Sequence, residues 1–189
     1  MVERTLIIIK HDGVTRGLVG EVVRRFENVG LKIVGMKMVW ADENTANNHY
    51  VATDEWAMGV FNKAKNGFED AGKSFPFLSH VEYGDYIQKM NRDYLMEGPV
   101  VAIVFEGHHS VELGRKIVGS TEPRTSLPGT IRGDLMLDSY EVANANKRSI
   151  RNLIHASGTP DEANREISLW FKNDELHSYL REHFEKHHF

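Results

Sequence analysis

The sequence contains no cysteine in its 189 residues. That excludes a disulfide-stapled scaffold, a thiolate nucleophile and any zinc or iron–sulfur site built on thiolates. It also suits a reducing compartment. Long apolar runs are missing: the longest, Val100 to Phe105, is far too short to cross a bilayer. Nor is there a dominant charge. Lys and Arg number 23 against 27 Asp and Glu, a net charge of −4, with an isoelectric point near 6.2. A wholly basic nucleic-acid binder is thereby disfavoured. Met1-Val2-Glu3-Arg4 does not open an apolar signal segment. No repeat or low-complexity tract interrupts the chain. These absences predict a cytoplasmic protein with no membrane and no nucleic-acid partner.

What is present is ordinary globular material, 41% hydrophobic and 26% charged. The length predicts a single domain over 1–189 with a core that needs no staples. Thr5 to Ile9 is a β-branched run that reads as a strand buried on both faces. Leu18, Val19, Val22, Val23, Phe26 and Val29 recur at helical spacing, with Gly30 placed to end the helix. Leu31 to Trp40 alternates as a second strand. Asp42 is placed to cap a helix through Tyr50. Val51 to Phe61 has helical spacing, Lys63 to Ser74 reads as a polar surface loop, and Val81 to Leu95 reads as a helix. Val100 to Phe105 is a third buried strand, and Ser110 is placed to cap a helix through Val118 that Gly119 closes. Ser120 to Asp134 reads as a long loop and Leu135 to Tyr140 as a strand. A helix opens at Pro160-Asp161 and runs to Phe171, and another is predicted over 174–188. The order predicts an α+β sheet covered by helices.

The residues able to do chemistry concentrate between Arg115 and Glu166. Arginines and threonines around Gly and Pro turns, including Arg115, Thr121, Arg124, Thr125 and Arg132, suit phosphate, because guanidinium forks match its oxygens and hydroxyls add neutral donors. The same pattern also describes a solvated loop. His155 follows the apolar pair Leu153-Ile154 and precedes small residues, which would present an imidazole at the end of a buried segment. It could be a nucleophile, a base or a satisfied, partly buried histidine. Lys10 ends a buried strand, either aimed into a cleft or merely terminal. A dinucleotide-binding Gly-x-Gly-x-x-Gly, a protein-kinase His-Arg-Asp loop and a His-Glu-x-x-His zinc motif do not occur. His183 and His187 lie four apart on the predicted terminal helix, where a solvated face explains them better than a metal.

Taken together, "ERTLIIIKHDGVTRGLVGEVVRRFENVGLKIVGMKMV", "GPVVAIVFEG", "GRKIVGSTEP", "PGTIRGD" and "RNLIHASGTPDEANREISLWF" resemble the nucleoside diphosphate kinase family over residues 3–50, 76–134 and 150–172. The resemblance implies a ferredoxin-like βαββαβ core with an antiparallel sheet. It implies transfer of the terminal phosphate of a nucleoside triphosphate, ATP as the usual donor, to a nucleoside diphosphate. The route is ping-pong through a phosphohistidine and maintains the NTP and dNTP pools. Mg²⁺ would ride on the nucleotide phosphates, with no metal ligand from the protein.

Carried over by motif, His155 is the nucleophile and Glu166 bonds the imidazole nitrogen that does not attack, supported by Ser157. Lys10, Tyr50, Arg115, Thr121 and Arg132 surround the phosphates. Lys10 and Asn152 hold the ribose hydroxyls, and Phe77 stacks on the base, so that purines and pyrimidines, ribo and deoxy, are all accepted. The family also implies a homo-oligomer, a hexamer first and a tetramer or dimer otherwise.

Departures from the family pattern are His11 in place of a proline, Ala156 in place of a glycine, insertions at about 51–75 and 135–149, and a C-terminal extension over 173–189. Two other readings compete: a binding module that has lost turnover, which the presence of His155 and Lys10 opposes, and a protein-to-protein histidine phosphotransfer module, which the strands oppose.

Overall fold

The computed structural model describes residues 2–70 and 72–181. β1 (Val2–Ile9) is followed by a short helix α1 (His11–Thr15), α2 (Val19–Asn28) and β2 (Lys32–Val39). Next come α3 (Glu43–His49), α4 (Asp54–Asp70), α5 (His80–Met96) and β3 (Val100–His108). After α6 (Ser110–Val118) the chain makes a single 3₁₀ turn at Pro123–Thr125, then α7 (Ile131–Leu135) and α8 (Tyr140–Ala145). β4 (Ile154–Ala156) and α9 (Pro160–Trp170) complete the fold, with a last 3₁₀ turn at Asn173–Glu175. The four strands pair antiparallel in the order β2-β3-β1-β4, the ferredoxin-like arrangement.

Every residue of β1 from Thr5 to Ile9 is fully buried because the strand feeds two cores. Leu6 and Ile8 pack with Leu95, Ile167 and Trp170 on one face. Ile7 and Ile9 pack with Val22, Phe26, Val118 and Ile131 on the other. A continuous apolar run is what a strand covered on both sides requires. Phe26 of α2 stacks on Phe105 of β3 with centroids 4.6 Å apart. Helix ends follow from capping: Asp42 accepts from the Thr45 N–H, and Thr159 accepts from Glu162 N–H. Gly30 takes φ 89° as the chain turns out of α2.

Several expected elements are corrected. The predicted loop over Lys63–Ser74 is helical through Asp70. Ala57 is the buried residue of α4, so its polar run reports solvent exposure, not loss of helix. The predicted loop over Ser120–Asp134 contains the Pro123–Thr125 turn and most of α7, which Thr130 caps by accepting from Gly133 N–H. Ser110 is the first residue of α6, not its cap, and its hydroxyl donates to Glu3 O. The strand expected over Leu135–Tyr140 does not form. Arg124 N–H donates to Asp138 O, the Asp138 carboxylate receives Arg148 and the Arg151 N–H, and Leu137 stays 90% exposed. The fourth strand lies instead at Ile154–Ala156, too short to show a period. The helix expected over 174–188 is absent from its described part. A Lys172–Glu175 capping contact closes the 3₁₀ turn, and residues 176–181 carry no helix. Residues 182–188, and with them His183 and His187, lie outside the described residues.

Candidate active site

β1 and β4 build one corner of the candidate site. Their register pairs Ile8 with His155 and Ile9 with Ile154, and Lys10 N–H donates to Leu153 O at 2.8 Å. Two short segments therefore deliver Lys10, Asn152 and His155 side by side. Lys10 is 5% exposed, and its Nζ donates to Asn152 Oδ1 at 2.9 Å and sits over the Tyr94 ring. Burial, reinforced by the nearby Arg132 charge, lowers its pKa to about 7.

Leu153 adopts φ 67° although it is not glycine, a conformation costing roughly 1–3 kcal/mol. The Tyr94 hydroxyl oxygen accepts from both Asn152 N–H (3.2 Å) and Leu153 N–H (3.3 Å) and holds that kink. Tyr94 is 1% exposed. In the sequence it is one more apolar-stripe residue of α5, and nothing marks it as part of a site.

His155 Nε2 lies 3.0 Å from the Glu166 carboxylate. Glu166 is buried and also accepts the Ser157 hydroxyl at 2.6 Å. Burial alone would raise its pKa, but the His155 charge, the His155 hydrogen bond and Ser157 together bring it down to about 2. An ionised carboxylate at Nε2 keeps the proton on that nitrogen and leaves the Nδ1 lone pair available.

His49 is fully buried beside this pair, edge-on to the His155 ring at 4.5 Å. Burial and the His155 charge push its pKa well down. Trp170 Nε1–H donates to its Nδ1 at 3.3 Å. His49, His155 and Glu166 place donor atoms within 4.8 Å of one another. His155 Nε2 meets Glu166, and His49 Nδ1 meets Glu166 and the Trp170 Nε1–H, while His49 Nε2 is buried with no hydrogen-bond partner among the described residues.

A cleft of about 790 Å³ opens above the corner, a size suited to a small-molecule ligand. Lys10, Tyr50, Arg115, Thr121, Arg132, Asn152, His155 and Glu166 all line it. Arg132 is held by four carbonyls: Asn152 O, Gly119 O, Ser120 O and Ile154 O, at 2.6 to 3.1 Å. Burial lowers its pKa to about 10, which leaves it charged at neutral pH. Arg115 is exposed on α6 and forms no ion pair among the described residues. Asn152 Nδ2 donates to Thr121 O and ties the loop to the corner. Burial raises the Tyr50 pKa, so its hydroxyl stays protonated.

Phe77 is the exception. Its ring packs against Phe75, Tyr83 and Tyr86, and it is not among the cleft residues. Besides Tyr50, the aromatic that lines the cleft among the described residues is Trp56 of α4.

Residues 67–74, Gly-Phe-Glu-Asp-Ala-Gly-Lys-Ser, fit the spelling of a phosphate-binding P-loop. That motif works by placing phosphate at the N-terminus of a helix after a strand. Here Gly67 to Asp70 form the last turn of α4, and Gly72 N–H and Lys73 N–H close its C-terminus on Glu69 O and Phe68 O. This is the wrong end of the dipole for an anion, and the spelling is coincidental.

Fold and site together define a phosphotransferase that acts on nucleotides. The chain belongs to the nucleoside diphosphate kinase family, whose model matches residues 3–70 and 78–176. It is 41% identical over 179 residues to a nucleoside diphosphate kinase of Pyrobaculum aerophilum, covering 93% of this chain and 98% of that one. The crystal structure of an NDP kinase from Pyrobaculum aerophilum superimposes with a TM-score of 0.88 at 40% identity, covering 93% of this chain and 99% of that chain. A transition-state mimic of the Borrelia burgdorferi enzyme with bound vanadate and ADP superimposes with a TM-score of 0.79 at 36% identity, covering 98% and 96%.

Proposed function

We propose that this kinase works by two in-line transfers through His155. Nδ1 attacks the terminal phosphorus of a bound nucleoside triphosphate. The N–P bond forms as the bond to the bridging oxygen breaks, and the nucleoside diphosphate leaves with that oxygen. A second nucleoside diphosphate then attacks the phosphohistidine and regenerates the imidazole. The observation that carries this reading is the Nε2–Glu166 contact at 3.0 Å, which makes Nδ1 the free nitrogen and compensates the charge the ring acquires on phosphorylation. Vanadate and ADP in the Borrelia burgdorferi relative agree with in-line transfer.

Lys10, Arg115 and Arg132 supply positive charge for the oxygens, and Thr121 and Tyr50 add neutral donors. Positioning and charge of this kind are most of what phosphoryl transfer requires. Lys10 and Asn152 hold the sugar hydroxyls. Trp56 takes the place expected of Phe77 and offers its face to the base. The donor set fits a nucleotide that arrives with Mg²⁺: the buried carboxylate, Glu166, is spent on His155 and Ser157, and Mg²⁺ is commonly held through phosphates and water. When bound it would neutralise phosphate charge.

A homo-oligomer, a hexamer first, belongs to the same reading. Met36 and Met38 of β2 and Trp40 just after it, between 49% and 63% exposed, alternate along the chain and support an interface there. Light scattering tests its order. A cytoplasmic location is supported by the lack of cysteine; no helix among the described residues is long and apolar enough to cross a membrane.

The decisive test is His155→Ala. It is expected to abolish ATP-dependent labelling of the protein and lower exchange between ATP and GDP by about 10⁴-fold or more, because the imidazole that takes the phosphate is gone and the neighbouring His49 is buried with its pKa pushed well down. Near-normal exchange, or phosphate located by mass spectrometry on another histidine, would overturn it.

A further inference from the structure

The cleft wall built by the segment after α3, by α4 and α5, and by the segment after α8 carries no charge. Val51, Trp56, Gln88, Asn91 and Ser149 line it, facing the cations of the catalytic corner. Three of them form an unbroken hydrogen-bond relay. Gln88 Nε2 donates to Val51 O at 3.2 Å, Asn91 Nδ2 donates to Gln88 Oε1 at 3.0 Å, and Ser149 Oγ donates to Asn91 Oδ1 at 2.7 Å.

The direction of the relay is fixed at one end. A backbone carbonyl only accepts, so the Gln88 amide must turn its nitrogen to Val51. Its oxygen then faces Asn91, which must turn its own nitrogen toward Gln88. Asn91 Oδ1 is left as the acceptor for the serine hydroxyl. The result is a Ser149 Oγ whose proton is committed and which offers the cleft lone pairs alone. Gln88 and Ser149 are 4% and 7% exposed, so the relay is built into the wall and is not a surface accident.

We infer that Ser149, oriented by Asn91 and Gln88, makes this enzyme select its nucleoside: it accepts a hydrogen bond from a base that presents an exocyclic amino group. This rests on the proposed reading that phosphates lie at His155, which leaves the base against the uncharged wall beside Trp56. Stacking on an indole face tolerates any base. A lone pair held in fixed orientation does not, because an amino group meets it as a donor and a keto oxygen meets it as a second acceptor.

The test uses acceptor pairs that differ in that one group, ADP against IDP and CDP against UDP, with the phosphoenzyme prepared from ATP. The expected result is about a five- to tenfold preference in kcat/KM for the amino member of each pair, the scale of one neutral hydrogen bond. Ser149→Ala should bring both ratios near one. Asn91→Ala, which frees the serine proton to donate, should move both ratios toward the keto member. A purely structural role for Asn91 would lower all four rates alike. Circular dichroism and Tm identify a variant that fails to fold, and the parent ratios alone remain decisive in that case. Equal kcat/KM for all four acceptors, or a preference for IDP and UDP, would overturn the inference while leaving the phosphohistidine reading intact. Failure of ATP to label His155 would overturn that reading first.

Discussion

Arg115 and Arg132 line one cleft but are bound to the protein in opposite ways. Arg132 spends four N–H contacts on carbonyls that join the loop after α6 to β4, whereas Arg115 spends none on an acid. Arg115→Ala should therefore lower kcat/KM by one to two decades, the scale of a charge-assisted contact of about 1.5–3 kcal/mol, with Tm unchanged. Arg132→Lys should lower both kcat/KM and Tm, since an ammonium cannot span four acceptors arranged around a guanidinium fork. Equal Tm losses, read by calorimetry, would contradict the division.

Lys10 poses the complementary case. With its folded pKa at about 7 against 10.5 unfolded, the cost of a buried cation is fully present below pH 7. Between pH 7 and 10.5 the native state sheds the proton while the unfolded state keeps it, so stability at this site rises with pH. Lys10→Met is expected to raise Tm most below pH 7, with the advantage shrinking toward pH 10, while kcat/KM falls. A Tm difference independent of pH would sink the argument.

Residue types marked Lys10, Arg115, Arg132 and His155 as candidates, and the family resemblance drew them together into one expected site. Tyr94 and the Leu153 kink were not visible, because a hydroxyl aimed at two backbone N–H groups leaves no local pattern. That Trp56 and not Phe77 lines the cleft was hidden for a similar reason: which aromatic reaches it depends on how α4 and α5 pack.

At the scale of elements, capped helices with an apolar stripe were legible, and α2, α3 and α9 match their expected spans closely. Elements governed by distant partners were not. The C-terminal segment carries amphipathic spacing yet runs as a strap against the edge strand β2. His177 N–H donates to Val34 O at 2.7 Å, the Tyr179 hydroxyl donates to Ile33 O at 2.7 Å, and Lys37 pairs with Glu175 at 2.7 Å. The register of β2 against β3 skips at Val34, a bulge that leaves this carbonyl for the strap. Covering an edge in this way guards it against unwanted strand pairing. Gly35 sets the fit: a Cβ there would lie 2.8 Å from Leu176 Cδ2 and 3.1 Å from Glu175 O. Gly35→Ala should cost about 1–3 kcal/mol by overpacking and lower Tm by several degrees. It should also raise proteolysis after residue 172 while leaving His155 labelling in place. Unchanged Tm and digestion would mean the strap is not seated as described.

At the scale of the whole molecule, stability is distributed unevenly, and the cleft lies across the boundary. β1 gives alternate residues to both cores, so the sheet and its covering helices should open only by global unfolding. α4 stands apart. It buries Ala57 out of 17 residues, and its close partner is α5, where Gly84 lets the two helices approach so tightly that a Cβ would lie 2.7 Å from Ala57 Cβ. Few buried apolar contacts mean a low local opening free energy. Native-state hydrogen exchange should accordingly find α4 amides opening several kcal/mol more easily than those of β1 and β3, which report the global value of roughly 5–15 kcal/mol. Because Trp56 belongs to α4 and lines the cleft, saturating nucleotide should slow α4 exchange by a factor that grows with its concentration over Kd, while β1 amides move only with the global stability. Exchange of α4 in step with β1 in the free protein, or indifference of α4 to nucleotide, would show that this helix is part of the rigid frame and not a movable wall of the site.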